Sequence, residues 1–346
     1  MKKTVIITGA GSCIPYGLPS GKKLKRTILG SVMEGGHIEI EDFTSKPWEN
    51  EGCVSPLQIP NNEIRRFLLS STDNPILNEF SKTFADSGQT SIDAFLKHHP
   101  NFAKVGKLAI VLNILLFEHY SKKRVIDTRN DHWLEYLWSQ INDSTQNVLE
   151  SNLAFVTFNY DRVIEYYFET VISNSFKLEK QEVRKLFESI PIIHLYGKIA
   201  NLPIHHIINN QPTIPFGKYD VNLFNEFKKD ILNIVYDEAK ENKNFNEAFE
   251  LLHNAERILI MGFGYHDLNM ERLKLHNTKA GKAKKVFGSC LGFNENEQKR
   301  LKTKYPFLQL SELSNTEFLR NVLISEDIKS KIISSNVLSS KPTRVR

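Results

Sequence analysis

Short apolar runs that end in turns recur along this chain, and they constrain it more than any other feature. Val5-Ile6-Ile7-Thr8 runs into Gly9, Leu153-Ala154-Phe155-Val156-Thr157 into Phe158-Asn159, and residues 190–196 into Gly197. Arg257-Ile258-Leu259-Ile260-Met261 runs into Gly262, Lys285-Val286-Phe287-Gly288 repeats the pattern, and Phe307-Leu308-Gln309-Leu310 is a sixth candidate. Runs that are apolar throughout, instead of alternating, are strands buried on both faces of a parallel sheet. Between them lie stretches of helical spacing. Residues 161–173 carry Val163, Ile164, Tyr167, Phe168 and Val171, and residues 267–275 and 294–305 look similar. Strands alternating with helices predict an α/β fold with a Rossmann-like, doubly wound parallel sheet.

The first two strands are too far apart for one crossover. Residues 31–149 hold no convincing strand pair. They hold apolar residues at helical spacing: Ile92, Phe95 and Leu96, then Leu108, Val111, Leu112, Leu115 and Leu116, then Trp133, Leu134, Leu137, Trp138 and Ile141. We read 1–30 and 150–320 as the sheet domain, 31–149 as an inserted helical subdomain, and 321–346 as a C-terminal helix and basic tail. A smaller insertion covers about 200–250, with 223–248 helical.

Composition removes several function classes. Hydrophobic residues make up 40% and charged residues 25% of the chain, enough to build a sizeable core. The net charge of +5, from 45 basic and 40 acidic residues, is too mild for a dedicated nucleic-acid protein. Cys13, Cys53 and Cys290 form no Cys-x-x-Cys pair, which excludes a four-cysteine zinc knuckle and fits a reducing compartment. The adjacent pairs His98-His99 and His205-His206 lack chelating spacing, so no metal is expected. The most apolar stretch, residues 108–117, is too short to cross a bilayer. A cytoplasmic protein is expected, with no membrane contact.

Four motifs fall at predicted strand ends, where parallel sheets bind ligands. Gly9-Ala10-Gly11-Ser12 follows the first strand, and its glycines let a backbone approach a phosphate beside a helix N-terminus. A tight turn made for packing is the other reading. The third glycine of a dinucleotide fingerprint is replaced by Ile14, and no acidic residue ends a second strand about twenty residues on. A hydride-transfer dehydrogenase therefore fits poorly. Thr157-Phe158-Asn159-Tyr160-Asp161 follows the second strand. Asn159 offers a donor and an acceptor for a ribose, a carboxamide or a water, and Asp161 is either a ligand contact or a helix N-cap. His194 and Tyr196 stand two apart in Ile192-Ile193-His194-Leu195-Tyr196-Gly197-Lys198, on one strand face, with His194 the candidate general base. Gly262-Phe263-Gly264 is a second glycine loop, suited to a dinucleotide with two ribose halves, and His266 reads as an exposed loop residue.

Taken in this order, the motifs resemble the sirtuin-like superfamily, and within it the bacterial antiphage-defence branch that consumes NAD. Gly9-Ala10-Gly11-Ser12 with Gly17-Leu18-Pro19 is similar to the family's GAGxS…GIP segment, 157–161 to its T-x-N-x-D motif, 194–198 to its His-Gly segment, and Gly262-Phe263-Gly264 to its late glycine loop. Ser91-Ile92-Asp93 resembles a short pattern of the defence branch. Two departures count against protein deacylation. The paired Cys-x-x-Cys zinc module is missing, and Ser20-Gly21-Lys22 stands where deacylases have Asp-Phe-Arg. Tyr196 occupies the slot of the family's usual His, with His194 two residues back. The resemblance implies an NAD glycohydrolase releasing nicotinamide and ADP-ribose or a cyclised form. Asn159 and His194 would be catalytic, and Gly9, Ala10, Gly11, Ser12, Asp161, Tyr196, Gly262 and Gly264 would contact NAD. It further implies a homo-oligomer, sometimes working beside a HerA-type ATPase. A non-catalytic NAD or ADP-ribose sensor and a zinc-free deacylase are the alternatives.

Overall fold

The computed structural model describes residues 2–40, 57–127, 132–205, 213–220, 243–275 and 285–323. Its centre is a sheet of six parallel strands: β1 (Thr4–Thr8), β4 (Leu153–Thr157), β5 (Ile192–His194), β6 (Arg257–Met261), β7 (Lys285–Ser289) and β8 (Leu308–Ser311). They lie in the order β5-β4-β1-β6-β7-β8. Along the chain these are the third, second, first, fourth, fifth and sixth strands of the sheet, the order of a Rossmann-like doubly wound fold. The order reverses between β1 and β6, the place beside which sheets of this kind bind ligands, outside the carboxyl ends of the strands.

Alternation along each strand divides the core into two layers. Ile6, Phe155 and Leu259 face one side, with α1 (Gly21–Val32), α5 (Ala103–Val125) and α8 (Val163–Ser175). Val5, Ile7, Val156, Ile258 and Ile260 face the other, with α10 (Lys243–Asn254), α11 (Asp267–Leu273) and α12 (Glu295–Lys304). Each fully buried large apolar side chain contributes about 1.5–3 kcal/mol.

The segment read as an insertion is mainly helical: α2 (Asn62–Ser71), α3 (Asn74–Asp86), α4 (Ile92–His98), α5, α6 (Trp133–Ser139) and α7 (Thr145–Leu149). It also holds a strand pair that the sequence reading missed. β2 (His37–Ile40) pairs antiparallel with β3 (Leu57–Pro60). These strands are short, and β3 ends on a proline, so their alternation spans too few residues to stand out. The segment shares one continuous core with the sheet face above α8. Trp133 and Trp138 are both buried in it.

Helix α5 is longer than its most apolar stretch. It sits in a helical span of 26 residues, Pro100–Val125, long and apolar enough to cross a membrane, yet 72% of that span's apolar window is buried inside the fold. It is a core helix packed on α1 and α8.

Other expected elements shift by a few residues. The third sheet strand is only Ile192–His194, the helix expected at 161–173 begins at Val163, and the one expected at 294–305 is α12, with Asn294 as its N-cap. Residues 315–323 are helical. The basic tail from 324 onward, Cys53, His206 and most of the helix expected at 223–248 lie outside the described residues.

Candidate active site

Strand register brings three of the four motifs level. Thr8 is paired with Thr157 on one side and Met261 on the other, and Thr157 with His194. The residues after these strands, Gly9, Phe158 and Gly262, therefore emerge side by side at the carboxyl edge.

The two glycine loops close on each other through their main chains. Gly9 N–H donates to the Met261 carbonyl at 3.0 Å and Gly11 N–H to the Gly262 carbonyl at 2.9 Å. Gly262 has φ +57°, and a Cβ there would lie 2.0 Å from the Ser12 nitrogen. No other residue fits: the left-handed backbone disfavours a side chain, and the space is already filled. A Cβ on Gly9 or Gly11 would meet Gly262 within 3 Å. The glycines are thus required by loop-on-loop packing.

This geometry changes the sequence picture of a phosphate cradle. Residues Ala10–Ser12 and Ile14–Tyr16 form short 3₁₀ turns, and the first α-helix begins only at Gly21, capped by Ser20. Ile14, Pro15 and Pro19 keep the chain from entering a helix directly after the loop. The N–H groups of Gly9, Gly11, Ser12 and Cys13 are spent on carbonyls of the two loops. Gly11 and Ala10 are half-buried, Ser12 is buried, and the Ser12 hydroxyl donates to the Gly9 carbonyl. The loop is braced from behind by the helical segment: Trp133 Nε1 donates to the Ser12 carbonyl at 2.8 Å, and Leu134 N–H to the Tyr16 hydroxyl.

Asn159 lies directly against this loop. Its Nδ2 is 3.2 Å from the Gly9 carbonyl and 3.2 Å from Cys13 Sγ, and its backbone N–H donates to Thr157 Oγ1 at 3.0 Å. Burial pushes the Cys13 thiol well above its usual range, with Asp161 adding to the rise. Protonated, the thiol donates to Asp161 Oδ1 at 3.5 Å. The Asp161 carboxylate also accepts the Val163 N–H at 3.2 Å, so it caps the first turn of α8 from one residue before the N-cap position. Burial, helped by the Glu118 charge, raises the Asp161 carboxyl to about 6.

His194 and Tyr196 do not share a face, contrary to the sequence expectation. The strand ends at His194 and the chain turns. His194 is directed to α8, with Nδ1 2.7 Å from the Asn159 carbonyl and Nε2 2.8 Å from Glu165 Oε1. Tyr196 is directed to α11, where its hydroxyl donates to Asn269 Oδ1 at 2.7 Å and accepts from Arg272 at 2.5 Å. The Arg272 guanidinium lies over the Tyr196 ring, and Tyr196, Phe158 and Phe263 pack together across the mouth of the site. Gly264 and His266 are exposed beyond them.

Three charged residues that sequence reasoning did not single out complete the floor. Glu165 accepts from both His194 and Lys198. Burial pushes its carboxyl up, but the neighbouring His194 and Lys198 outweigh burial and hold it below the ordinary carboxylate range. Beside it, Glu118 and Arg162 form a fully buried ion pair. Glu118 Oε1 accepts the Arg162 N–H at 3.0 Å and Nε at 3.2 Å, and Arg162 Nη1 reaches the Ile214 carbonyl at 2.5 Å. One signal was present: a lone Glu118 closing the apolar run of α5, and Glu165 within an otherwise apolar helix face.

Ser91 caps α4 by accepting the Ala94 N–H, and Asp93 accepts from the Tyr160 hydroxyl. The Ser91-Ile92-Asp93 segment is thereby tied to the Asn159 loop. A groove of about 750 Å³ runs along the outer edge of β5, lined by Ile192, Ile193, Asn246, Phe249 and Asn254 among others, and none of the site residues lines it. Among the described residues no group of His, Cys, Asp and Glu is placed to hold a metal ion. No model of a known protein family matches the chain, and no curated protein matches it.

Proposed function

We propose that the chain is an NAD glycohydrolase that breaks the nicotinamide–ribose bond at the carboxyl edge of the sheet, where the loops after β4, β1 and β6 meet. One observation carries this reading most: a buried Asn159 stands at the carboxyl end of β4, beside β1, its amide 3.2 Å from the carbonyl of the first glycine loop. Cleavage of that bond builds positive charge on the ribose, and a fixed amide dipole beside it can orient the sugar or the attacking water. Because the loop's amides are largely spent internally, the diphosphate draws on groups around the mouth, among them the Arg272 guanidinium over the Tyr196 ring. Incubation of pure protein with NAD, followed by nicotinamide release, tests the assignment. Release at the background rate overturns it.

A second reading, a sensor that binds NAD or ADP-ribose without cleaving it, draws on a specific feature. Asn159 and His194 are 7% and 6% exposed, and both ring nitrogens of His194 are engaged inside the protein. Binding with no turnover by the pure chain, alone or with a partner ATPase, selects the sensor. Release that requires an acylated peptide selects the deacylase.

The sequence resemblance extends the first reading to antiphage defence. An NADase of this kind exhausts its own cell unless gated, so we place its activity in a homo-oligomer controlled by a HerA-type ATPase partner. Mass by light scattering together with NAD turnover, with and without that partner, tests this. A monomer with full unregulated activity overturns it.

A further inference from the structure

We propose that Glu165 is a positioning residue for Asn159, acting through His194, and that His194 is a doubly protonated strut and not the general base. The proposal rests on the reading of Asn159 as the group that touches NAD.

Both ring nitrogens of His194 face acceptors. Nδ1 points at the Asn159 carbonyl at 2.7 Å and Nε2 at a carboxylate oxygen of Glu165 at 2.8 Å. A carbonyl cannot donate, and neither can an ionised carboxylate, so the ring that makes both bonds carries a proton on each nitrogen. A histidine base needs a nitrogen lone pair free to face substrate. Here a lone pair on either nitrogen would face another lone pair at under 3 Å.

The second step concerns why a carboxylate is buried at this place. The Glu165 side chain is 1% exposed, and a buried charge is costly unless paired. Its Oε1 is shared between His194 and Lys198, the latter at 3.2 Å and 22% exposed. The other titratable groups nearby are Asp161, Glu118, Arg162, Glu169 and His205. Arg162 is committed to Glu118. The arrangement runs from Lys198 through Glu165 and His194 to the Asn159 carbonyl. With Thr157 holding the Asn159 N–H and Gly9 its amide, the residue is fixed at three atoms. A catalytic group needs placement to within a fraction of an ångström, and misplacement by about 1 Å can cost about 10²-fold in rate.

Three variants of the full chain separate the strut from a base. His194→Asn keeps a nitrogen donor near Nδ1 but has no basic nitrogen. Glu165→Gln keeps a neutral ring with Nδ1–H on the Asn159 carbonyl. Glu165→Ala removes the support. For the strut, His194→Asn and Glu165→Gln retain turnover within about tenfold of wild type. Glu165→Ala lowers kcat by about 10–100-fold, with KM changed less than about threefold. If His194→Asn, folded and able to bind NAD, is as dead as His194→Ala, the residue is a base and the proposal fails. If Glu165→Ala raises KM and leaves kcat intact, Glu165 serves binding and the proposal also fails. A readout independent of turnover is nitrogen NMR of ¹⁵N-histidine-labelled wild-type protein. Two protonated ring nitrogens on His194 support the strut, and one unprotonated nitrogen overturns it. That measurement stands even if Glu165→Ala does not fold. It also separates failure of the strut from failure of the NADase reading, which shows as wild-type protein that leaves NAD intact.

Discussion

The two halves of the sheet's carboxyl edge are built from different materials. On the β1–β6 side the two loops are joined mainly through their backbones: Gly9, Gly11 and Gly262 close on one another, and the contacts leave no room for a Cβ. On the β4–β5 side the support is buried charge: Glu118 with Arg162, and Glu165 with His194 and Lys198. Asn159 sits at the seam, its side chain on the glycine loop and its carbonyl on His194. The first side leaves no room for a side chain on its glycines, and the second depends on buried charges that stay paired. The contrast explains why a single amide can be immobilised at the end of a sheet: one wall fixes where the loop is, the other fixes which way Asn159 faces.

The largest expected effect lies on the charged side. Arg162→Met leaves Glu118 buried without a partner and is expected to cost about 3–5 kcal/mol of stability, read by denaturant unfolding. The double variant Glu118→Leu with Arg162→Met should recover most of that loss, because burying neither charge removes the penalty. A single-variant cost below about 1 kcal/mol would show that the charged wall does not carry the structure as described. On the backbone side, Gly262→Ala places a Cβ against the Ser12 nitrogen at a φ that side chains avoid. The strained backbone alone costs on the order of 1–3 kcal/mol, and separation of the two loops adds to it. Unchanged stability and NAD binding in this variant would break the comparison at its other end.

Next in size is Asn159→Ala. It removes the group at the seam, and we expect NAD cleavage to fall by about 10²-fold or more in a protein that stays folded. Near-normal turnover in that variant sinks the catalytic assignment.

What the sequence disclosed follows the same division. The sheet was legible because β1, β4 and β6 have apolar interiors and are buried at every position, and because each ends in a turn that a parallel strand requires. The glycine loops and Asn159 were legible because backbone constraints leave marks in residue type. The charged wall was not. Glu118, Arg162 and Glu165 come from three separate places, the end of α5 and two positions bracketing the start of α8, and only folding brings them together. The β2–β3 pair was missed because four residues give too little alternation to compete with the surrounding helical spacing. The shared face of His194 and Tyr196 failed for a local reason: a period of two holds only while the strand continues, and β5 stops at His194.

The smallest expected effect tests whether the charged wall reaches Asp161. Its carboxyl is raised from 3.8 to about 6, by burial first and the Glu118 charge second, with the Val163 N–H and His194 opposing. The folded state therefore binds more protons than the unfolded state between these values, so stability falls as pH rises from about 4 to about 6, and the loss is complete above that. The full shift sets a ceiling of about 3 kcal/mol. Asp161→Asn removes the ionisation while leaving an oxygen to accept the Val163 N–H. The variant should gain on wild type as pH rises from about 4 to about 6 and exceed it above pH 6. The net gain is expected to be about 1 kcal/mol, the size of a single hydrogen-bond rearrangement, because Cys13 and Val163 must re-form their bonds to an amide. Urea unfolding of both proteins at pH 4.0, 5.0, 6.0 and 7.5 measures it. Parallel pH profiles, or a variant weaker than wild type at pH 7.5, would mean that Asp161 is ionised without cost and belongs with the backbone side, as a helix cap and nothing more.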